Sequence, residues 1–325
     1  MLRCPACGRR FEGDARFCTA DGSRLVATTP EPAAPLAGRL LDRRYQVRER
    51  VAEGGMAIVY RADDAATGES LALKALAPVL TGDATAMARL RREAEMGGQL
   101  RHPNVCPILA MGDAGDGGVY VVMPFLAGET LADRLARLGP LPPAEVARLV
   151  ADVAEGLHAA HALGIVHRDL KPENVMVVPR SGAGAPERAV VMDFGLATSR
   201  LARLASRRLT RTGMVMGTPE FMSPEQLRDQ PLDARSDVYA LALVTCELLT
   251  GRLPFAGRDQ QEQMLARLRT DPMPLRDLRP ELALPMDVER VMRRGLAADR
   301  EARYPTAPAF ATAFAAALHG PDAPR

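Results

Sequence analysis

The spacing of apolar residues changes period about a third of the way along the chain, and that change sets the fold class. Residues 45–51, 57–63 and 70–74 are short β-like runs separated by glycine-containing turns, which predicts an antiparallel sheet. Residues 84–100 read as a helix with an exposed arginine-rich face, and residues 119–123 as a further strand closing this first unit. Beyond Gly128 the period becomes helical. Pro142 and Pro143 suit a first helical turn, and Val146, Leu149, Val150, Val153 and Leu157 recur at helical spacing until Gly164. Residues 237–249 are apolar nearly all round, which predicts a central buried helix ending at Gly251. A β-rich unit followed by a helical one is an α+β arrangement, and a cleft between them is the expected place for a ligand.

The 325 residues exceed a usual single domain, so two or three compact units are expected. Apolar residues make up 47% and charged residues 25%, the balance of a globular chain, and a formal net charge of +2 argues against a nucleic-acid-binding face. No apolar run approaches the roughly 18 to 20 residues that cross a bilayer. The longest, residues 238–249, is too short and carries Glu247. Cys4, Arg9, Arg10 and Glu12 interrupt the N-terminus where a secretory signal would be apolar, so a cytoplasmic location with no membrane partner is expected. Five cysteines in so long a chain make no disulfide framework, and in a reducing compartment a close pair is better used on a metal.

Residues 1–25 read as a small module, 26–44 as a linker rich in proline and alanine, and 319–325 as a disordered tail. Cys4-Pro5-Ala6-Cys7-Gly8 forms a knuckle able to place two thiolates on one metal. Cys18-Thr19-Ala20-Asp21-Gly22 resembles the second knuckle of a zinc ribbon, with Asp21 where a fourth cysteine usually stands. Zinc accepts carboxylate oxygen, so Cys4, Cys7, Cys18 and Asp21 make a chemically possible tetrahedral site. The competing reading is a degenerate ribbon that binds no metal. Such a module suits recruitment of a partner or sensing rather than catalysis. Cys106 and Cys246 are expected in the core, and His158 and His161 packed and hydrogen-bonded.

Two short stretches carry the chemistry: His167-Arg168-Asp169-Leu170-Lys171-Pro172-Glu173-Asn174, and Asp193-Phe194-Gly195. Together they offer a base, a point charge and two hard oxygen ligands in the order that phosphoryl transfer from a nucleotide needs. On these motifs the chain resembles the eukaryotic-like (Hanks-type) serine/threonine protein kinases of bacteria, over roughly residues 45–318. The resemblance implies a protein-kinase-like bilobal fold: a small antiparallel β lobe with its hinge over 45–126 and a large helical lobe over 127–318, preceded by the zinc-ribbon-like module. It implies ATP and Mg²⁺ as cofactors, proteins with serine or threonine acceptors as substrates, and a place in signal transduction.

Residue by residue, the resemblance makes Asp169 the catalytic base and Lys171 the neutraliser of charge on the transferring group. Asn174 and Asp193 become the Mg²⁺ ligands, with Asn174 also at the nucleotide. Lys74, in Leu71-Ala72-Leu73-Lys74, becomes the strand lysine on the α- and β-phosphates, paired with Glu93, with Glu95 as the neighbouring alternative. The phosphate-covering loop departs from the family: in Ala52-Glu53-Gly54-Gly55-Met56-Ala57 only the middle glycine, Gly54, is kept. Alanine at 52 and 57 restricts φ and stiffens the loop or weakens nucleotide binding. The adenine hinge falls on Val121-Val122-Met123-Pro124-Phe125-Leu126, where Met123 backs the pocket, the Pro124 carbonyl and Leu126 N–H read the adenine edge, and proline loses only an N–H that is not needed. Val51, Val59 and Ala72 complete the cofactor-binding set.

Residues 193–225 hold Ser199, Ser206, Thr210 and Thr212 among Arg200, Arg203, Arg207, Arg208 and Arg211. A phosphate on Thr210 or Thr212 would bring about −1.5 to −2 charges toward Arg168, which suggests activation by autophosphorylation. The segment closes with Gly217-Thr218-Pro219 and Ser223-Pro224-Glu225, as in kinases that dock a polypeptide. Glu225 is expected to pair with Arg303, and Asp237 to hold the catalytic loop by capping the buried helix. Two functional classes remain: a serine/threonine kinase, and a pseudokinase that binds nucleotide and signals through its N-terminal module. The loop alanines favour the second; intact Lys74, Asp169, Asn174 and Asp193 favour the first.

Overall fold

The computed structural model describes residues 2–3, 10–11, 18–19, 23, 26–27, 36–53, 57–76, 97–115, 118–180, 186–194, 219–257 and 260–320. Among the described residues, contacts divide the chain into two compact units, one holding those up to 76 and those of 111–122, the other those of 97–110, 123–194 and 219–320. Each follows from a different apolar period.

In the first unit, β1 (Leu2–Arg3) pairs antiparallel with β2 (Arg10–Phe11) and β3 (Val26–Ala27). The principal sheet comprises β4 (Leu40–Leu41), β5 (Tyr45–Glu53), β6 (Ala57–Asp64), β7 (Ser70–Leu76), β8 (Ala110–Gly115) and β9 (Gly118–Pro124), in the order β4-β5-β6-β7-β9-β8. Alternation drives it: Ile58, Tyr60, Ala62, Leu71, Leu73 and Ala75 are buried, and the residues between them are half-buried or exposed. Pairing of β5 with β6 slips between Val47 and Arg50 and again between Arg50 and Ala52.

The expected linker is shorter than its composition suggests. Val26–Ala27 already belongs to the small sheet, and residues 36–44 are fixed to the large one. Leu36 is buried, with its N–H on Tyr60 Oη at 3.5 Å. Arg39 Nη1 donates to the Ala114 carbonyl at 3.2 Å, and the Tyr120 hydroxyl donates to the Asp42 carboxylate. Asp42 and Arg43 take φ of +47° and +54°, and Arg44 N–H closes the turn on Leu41 O at 2.9 Å. Proline and alanine content misread these residues because their anchors lie far along the chain.

The second unit is mainly helical: α1 (Leu131–Leu138), α2 (Pro143–Ala162), α3 (Pro224–Leu227), α4 (Ala234–Thr250), α5 (Gln260–Arg269), α6 (Leu275–Leu278), α7 (Met286–Gly295) and α8 (Ala307–Leu318). α4 is the predicted central helix. Val238 through Cys246, then Leu248 and Leu249, are buried, and Gly251 ends the helix at φ +71°, its N–H on Glu247 O at 2.7 Å. α2 begins at the expected proline pair and stops before Gly164. The unit is not helical throughout, however. β10 (Glu129–Thr130), β11 (Val175–Val178) and β12 (Arg188–Val191) form a third antiparallel sheet against which α2 packs. Runs of four apolar residues fit a buried strand or a helix equally well, so periodicity alone does not separate them.

Of the helix expected at 84–100, residues 97–99 are helical, Leu100 is buried just past their end, and residues 84–96 lie outside the described residues. The expected tail starts later than 319: His319 and Gly320 close α8, with the Gly320 N–H on Ala317 O at 3.5 Å, and residues 321–325 lie outside the described residues. Cys106 and Cys246 are core residues, as expected; burial pushes both thiols up to about 12, helped at Cys106 by the charge of Asp193. His158 is exposed rather than packed.

Candidate active site

The site is built outward from α4. Its N-cap is Asp233, whose side chain accepts the Arg235 N–H at 2.8 Å, so the capping expected of Asp237 belongs to Asp233. Asp237 lies one turn further in, 1% exposed, and its carboxylate reaches the loop before Asp169. Oδ2 accepts the His167 N–H at 2.8 Å and lies 2.7 Å from His161 Nε2; Oδ1 accepts the Arg168 N–H at 2.9 Å. Burial by itself would raise the Asp237 carboxyl, but His161 and the loop amides outweigh it and hold it below the usual range. The backbone so held is unusual, with Arg168 at φ +69°, and on the neighbouring loop Asp193 takes φ of +64°.

His167, fully buried, ties this loop to the next. Its Nε2 is 2.8 Å from the Met192 carbonyl, its ring meets Phe194 edge-on at 4.7 Å, and its Nδ1 accepts the Asp169 N–H at 3.3 Å. The 3₁₀ turn Pro172–Asn174 brings Asn174 back to Asp169: Nδ2 donates to the Asp169 carbonyl at 2.7 Å and to its Oδ2 at 3.0 Å. Lys171 Nζ lies 3.2 Å from the same Oδ2. Both bonds of the Asn174 amide leave from nitrogen, so its oxygen points away from Asp169. The Met192 N–H on Asn174 O at 2.9 Å sets Asp193 beside this turn. An amide oxygen and a carboxylate oxygen are hard donors and fit Mg²⁺. Asp169, Lys171, Asn174 and Asp193 are thus brought together on two linked loops.

On the other unit, Val59 and Lys74 are directly paired across β6 and β7, and Ala72 follows two residues from Lys74 on the same half-buried face. Ala52 pairs with Val59 and joins them. Val51 does not: it falls in the slipped register and is 52% exposed. Ala52 and Ala57 both sit in paired strands, and neither has positive φ, so the conformational restriction expected of them acts on backbone that alanine adopts freely. Met123 is buried at the end of β9, with Pro124 and Leu126 half-buried beyond it. Gly54, Glu93, Cys4, Cys7, Asp21, Thr210 and Thr212 lie outside the described residues. Cys18 is buried, and no metal-holding group of histidine, cysteine or carboxylate occurs among the described residues.

The expected Glu225–Arg303 pair is present and buried, with Nη1 on Oε1 at 2.7 Å and Nη2 on Oε2 at 2.8 Å. The remaining guanidinium donors go to the carbonyls of Ala297, Arg235 and Ala298, and Ser236 Oγ donates to Glu225 Oε1 at 2.7 Å. Burial would raise the Glu225 carboxyl; Arg303 and Ser236 outweigh it and lower it. Sequence reasoning missed Gln226, whose Nε2 donates to the Arg168 carbonyl at 2.7 Å. Its place three residues after Ser223 marks it as a capping-box partner, but nothing local signals the reach to residue 168.

A family model described as the protein kinase domain matches residues 45–314. The chain is 38% identical over 288 residues, 89% of its length, to the serine/threonine-protein kinase pkn3 of Myxococcus xanthus, and 36% identical over 270 residues, 82% of its length, to PknB of Mycobacterium leprae. It spans 52% and 42% of those two proteins, about half their length. Among solved structures, the PknI kinase domain of Mycobacterium tuberculosis superposes with a TM-score of 0.68 at 28% identity, over 87% of this chain and 99% of that one. With a strand-rich unit, a helical unit and the two loops just described, the chain belongs to the protein kinase domain family.

Proposed function

We propose that this protein is a serine/threonine protein kinase that transfers the γ-phosphoryl group of ATP to hydroxyls of protein substrates. The supporting observation is the Asp169 carboxylate, 44% exposed, braced by Lys171 and Asn174 on a loop that the buried Asp237 holds by two backbone amides. An acceptor hydroxyl can reach a carboxylate so exposed, and a carboxylate so fixed can take its proton. Lys171 offsets charge on the group in transit, and Lys74 meets the nucleotide phosphates with Glu93 as its partner. Met123, the Pro124 carbonyl and the Leu126 N–H receive the adenine beside Val51, Gly54, Val59 and Ala72. Asn174 and Asp193 would hold Mg²⁺, which when bound supplies positive charge for the phosphate oxygens.

Radiolabelled ATP with wild type and D169N tests the reading. Transfer to a protein acceptor should fall by about a hundredfold or more in D169N while nucleotide still binds. A wild type that binds nucleotide and transfers nothing would overturn the reading in favour of the pseudokinase. In the same preparation the regulatory part predicts phosphate on Thr210 or Thr212, drawn toward Arg168, and loss of activation in the T210A/T212A double variant.

The N-terminal residues extend the proposal. Cys4, Cys7, Cys18 and Asp21 would bind zinc and present a surface to a partner, supported by the buried Cys18, whose N–H closes on Ser23 O at 2.8 Å. Metal analysis of the purified protein should return about one equivalent of zinc. The free, buried thiols Cys106 and Cys246 fit the expected cytoplasmic location, and no helix among the described residues is long and apolar enough to cross a membrane.

A further inference from the structure

The residue before Asp169 is gripped from two directions. Asp237 fixes the Arg168 N–H, and Gln226 Nε2 fixes its carbonyl at 2.7 Å, while the backbone between them stays left-handed. The other end of the Gln226 amide is also committed: Oε1 accepts the Ser223 N–H at 2.9 Å, and Gln226 N–H donates to Ser223 Oγ at 3.4 Å. One planar amide therefore joins the cap of α3 to the carbonyl of residue 168. α3 is a firm support, because the neighbouring Glu225 is locked to Arg303.

We propose that Gln226 is a positioning residue for phosphoryl transfer: it holds the peptide between Arg168 and Asp169 so that the Asp169 carboxylate stays against Lys171 and Asn174. The inference rests on the kinase reading above, which supplies the reaction. An unsupported left-handed residue is strained, so it relaxes when its anchors go. A displacement of about 1 Å in a reacting group can cost a hundredfold in rate. The amide is required for a simple reason. The Arg168 carbonyl needs a donor, the Ser223 N–H needs an acceptor, and one side chain must present both.

Q226E separates the two ties. Its carboxylate keeps the acceptor for Ser223, and with it the cap, but has no donor for residue 168. Expected in Q226E are a kcat lower by about 10- to 100-fold, a KM for ATP within about twofold of wild type and a melting temperature near wild type. Amide hydrogen exchange at residues 168 and 169 should be faster in the nucleotide-free protein. Q226M, uncharged and of similar length, should share the kcat and exchange changes and also melt lower, since it loses the cap. A Q226E kcat within about twofold of wild type, unchanged exchange, or a Q226M with full kcat would each overturn the proposal. If wild type transfers nothing, the kinase reading fails instead, and the exchange rates decide the grip on residue 168 by themselves.

Discussion

Glu247 carries a carboxyl into the apolar flank of α4, where one of its oxygens is buried without a hydrogen-bond partner. Burial, then repulsion from Glu173 and Glu220, pushes it up to about 7. A carboxyl raised in the fold above its unfolded value binds its proton more tightly when folded, so its contribution to stability falls as pH rises from about 4.5 to about 7. E247Q should therefore gain on wild type across that window. The difference between their urea unfolding free energies should widen, on the order of 2 kcal/mol, between about pH 5 and pH 8. In the sequence Glu247 is only a charge interrupting an apolar run; its pKa depends on neighbours 74 and 27 positions away. Asp169, Lys171 and Asn174 were legible for the opposite reason, since a few adjacent positions carry the set and a tight turn closes it. Gln226 was not, because its bond to Arg168 spans 58 positions.

Short elements depend on ties that their own sequences do not contain. α3 is four residues long, far below what stands alone in water, and the Glu225–Arg303 pair fastens it to the chain after α7. Removing one partner leaves a buried, uncompensated charge. R303M should cost about 3 to 5 kcal/mol in urea unfolding, and the E225Q/R303M pair distinctly less. That pair is also acid-sensitive: a carboxyl lowered in the fold stabilises above its unfolded value, near 4.5, and the gain is lost as pH falls through the folded one. Long elements were legible because α2 and α4 repeat their signal over 20 and 17 residues. β10 has two residues, β11 and β12 four each, and their identity as strands comes from pairing with one another.

Across the whole molecule, the family match begins at Tyr45, but the principal sheet begins earlier, at β4. A chain starting at Leu36 should melt within about two degrees of one carrying residues 1–35 as well, whereas a chain starting at Tyr45 should melt several degrees lower. The α+β class and the order of its two parts were readable from the change of period alone. The extent of the first part was not, because residues 36–44 are defined by what they touch. Tyr120 is fully buried and turns its hydroxyl to Asp42; Tyr60 receives the Leu36 N–H. A fragment trimmed to the family boundary would therefore carry a phenol sealed inside the sheet with its acceptor cut away, and would tend to recruit water or a neighbouring molecule there. Poor solubility or a low melting temperature in such a fragment would be a property of the scissors, not of the protein.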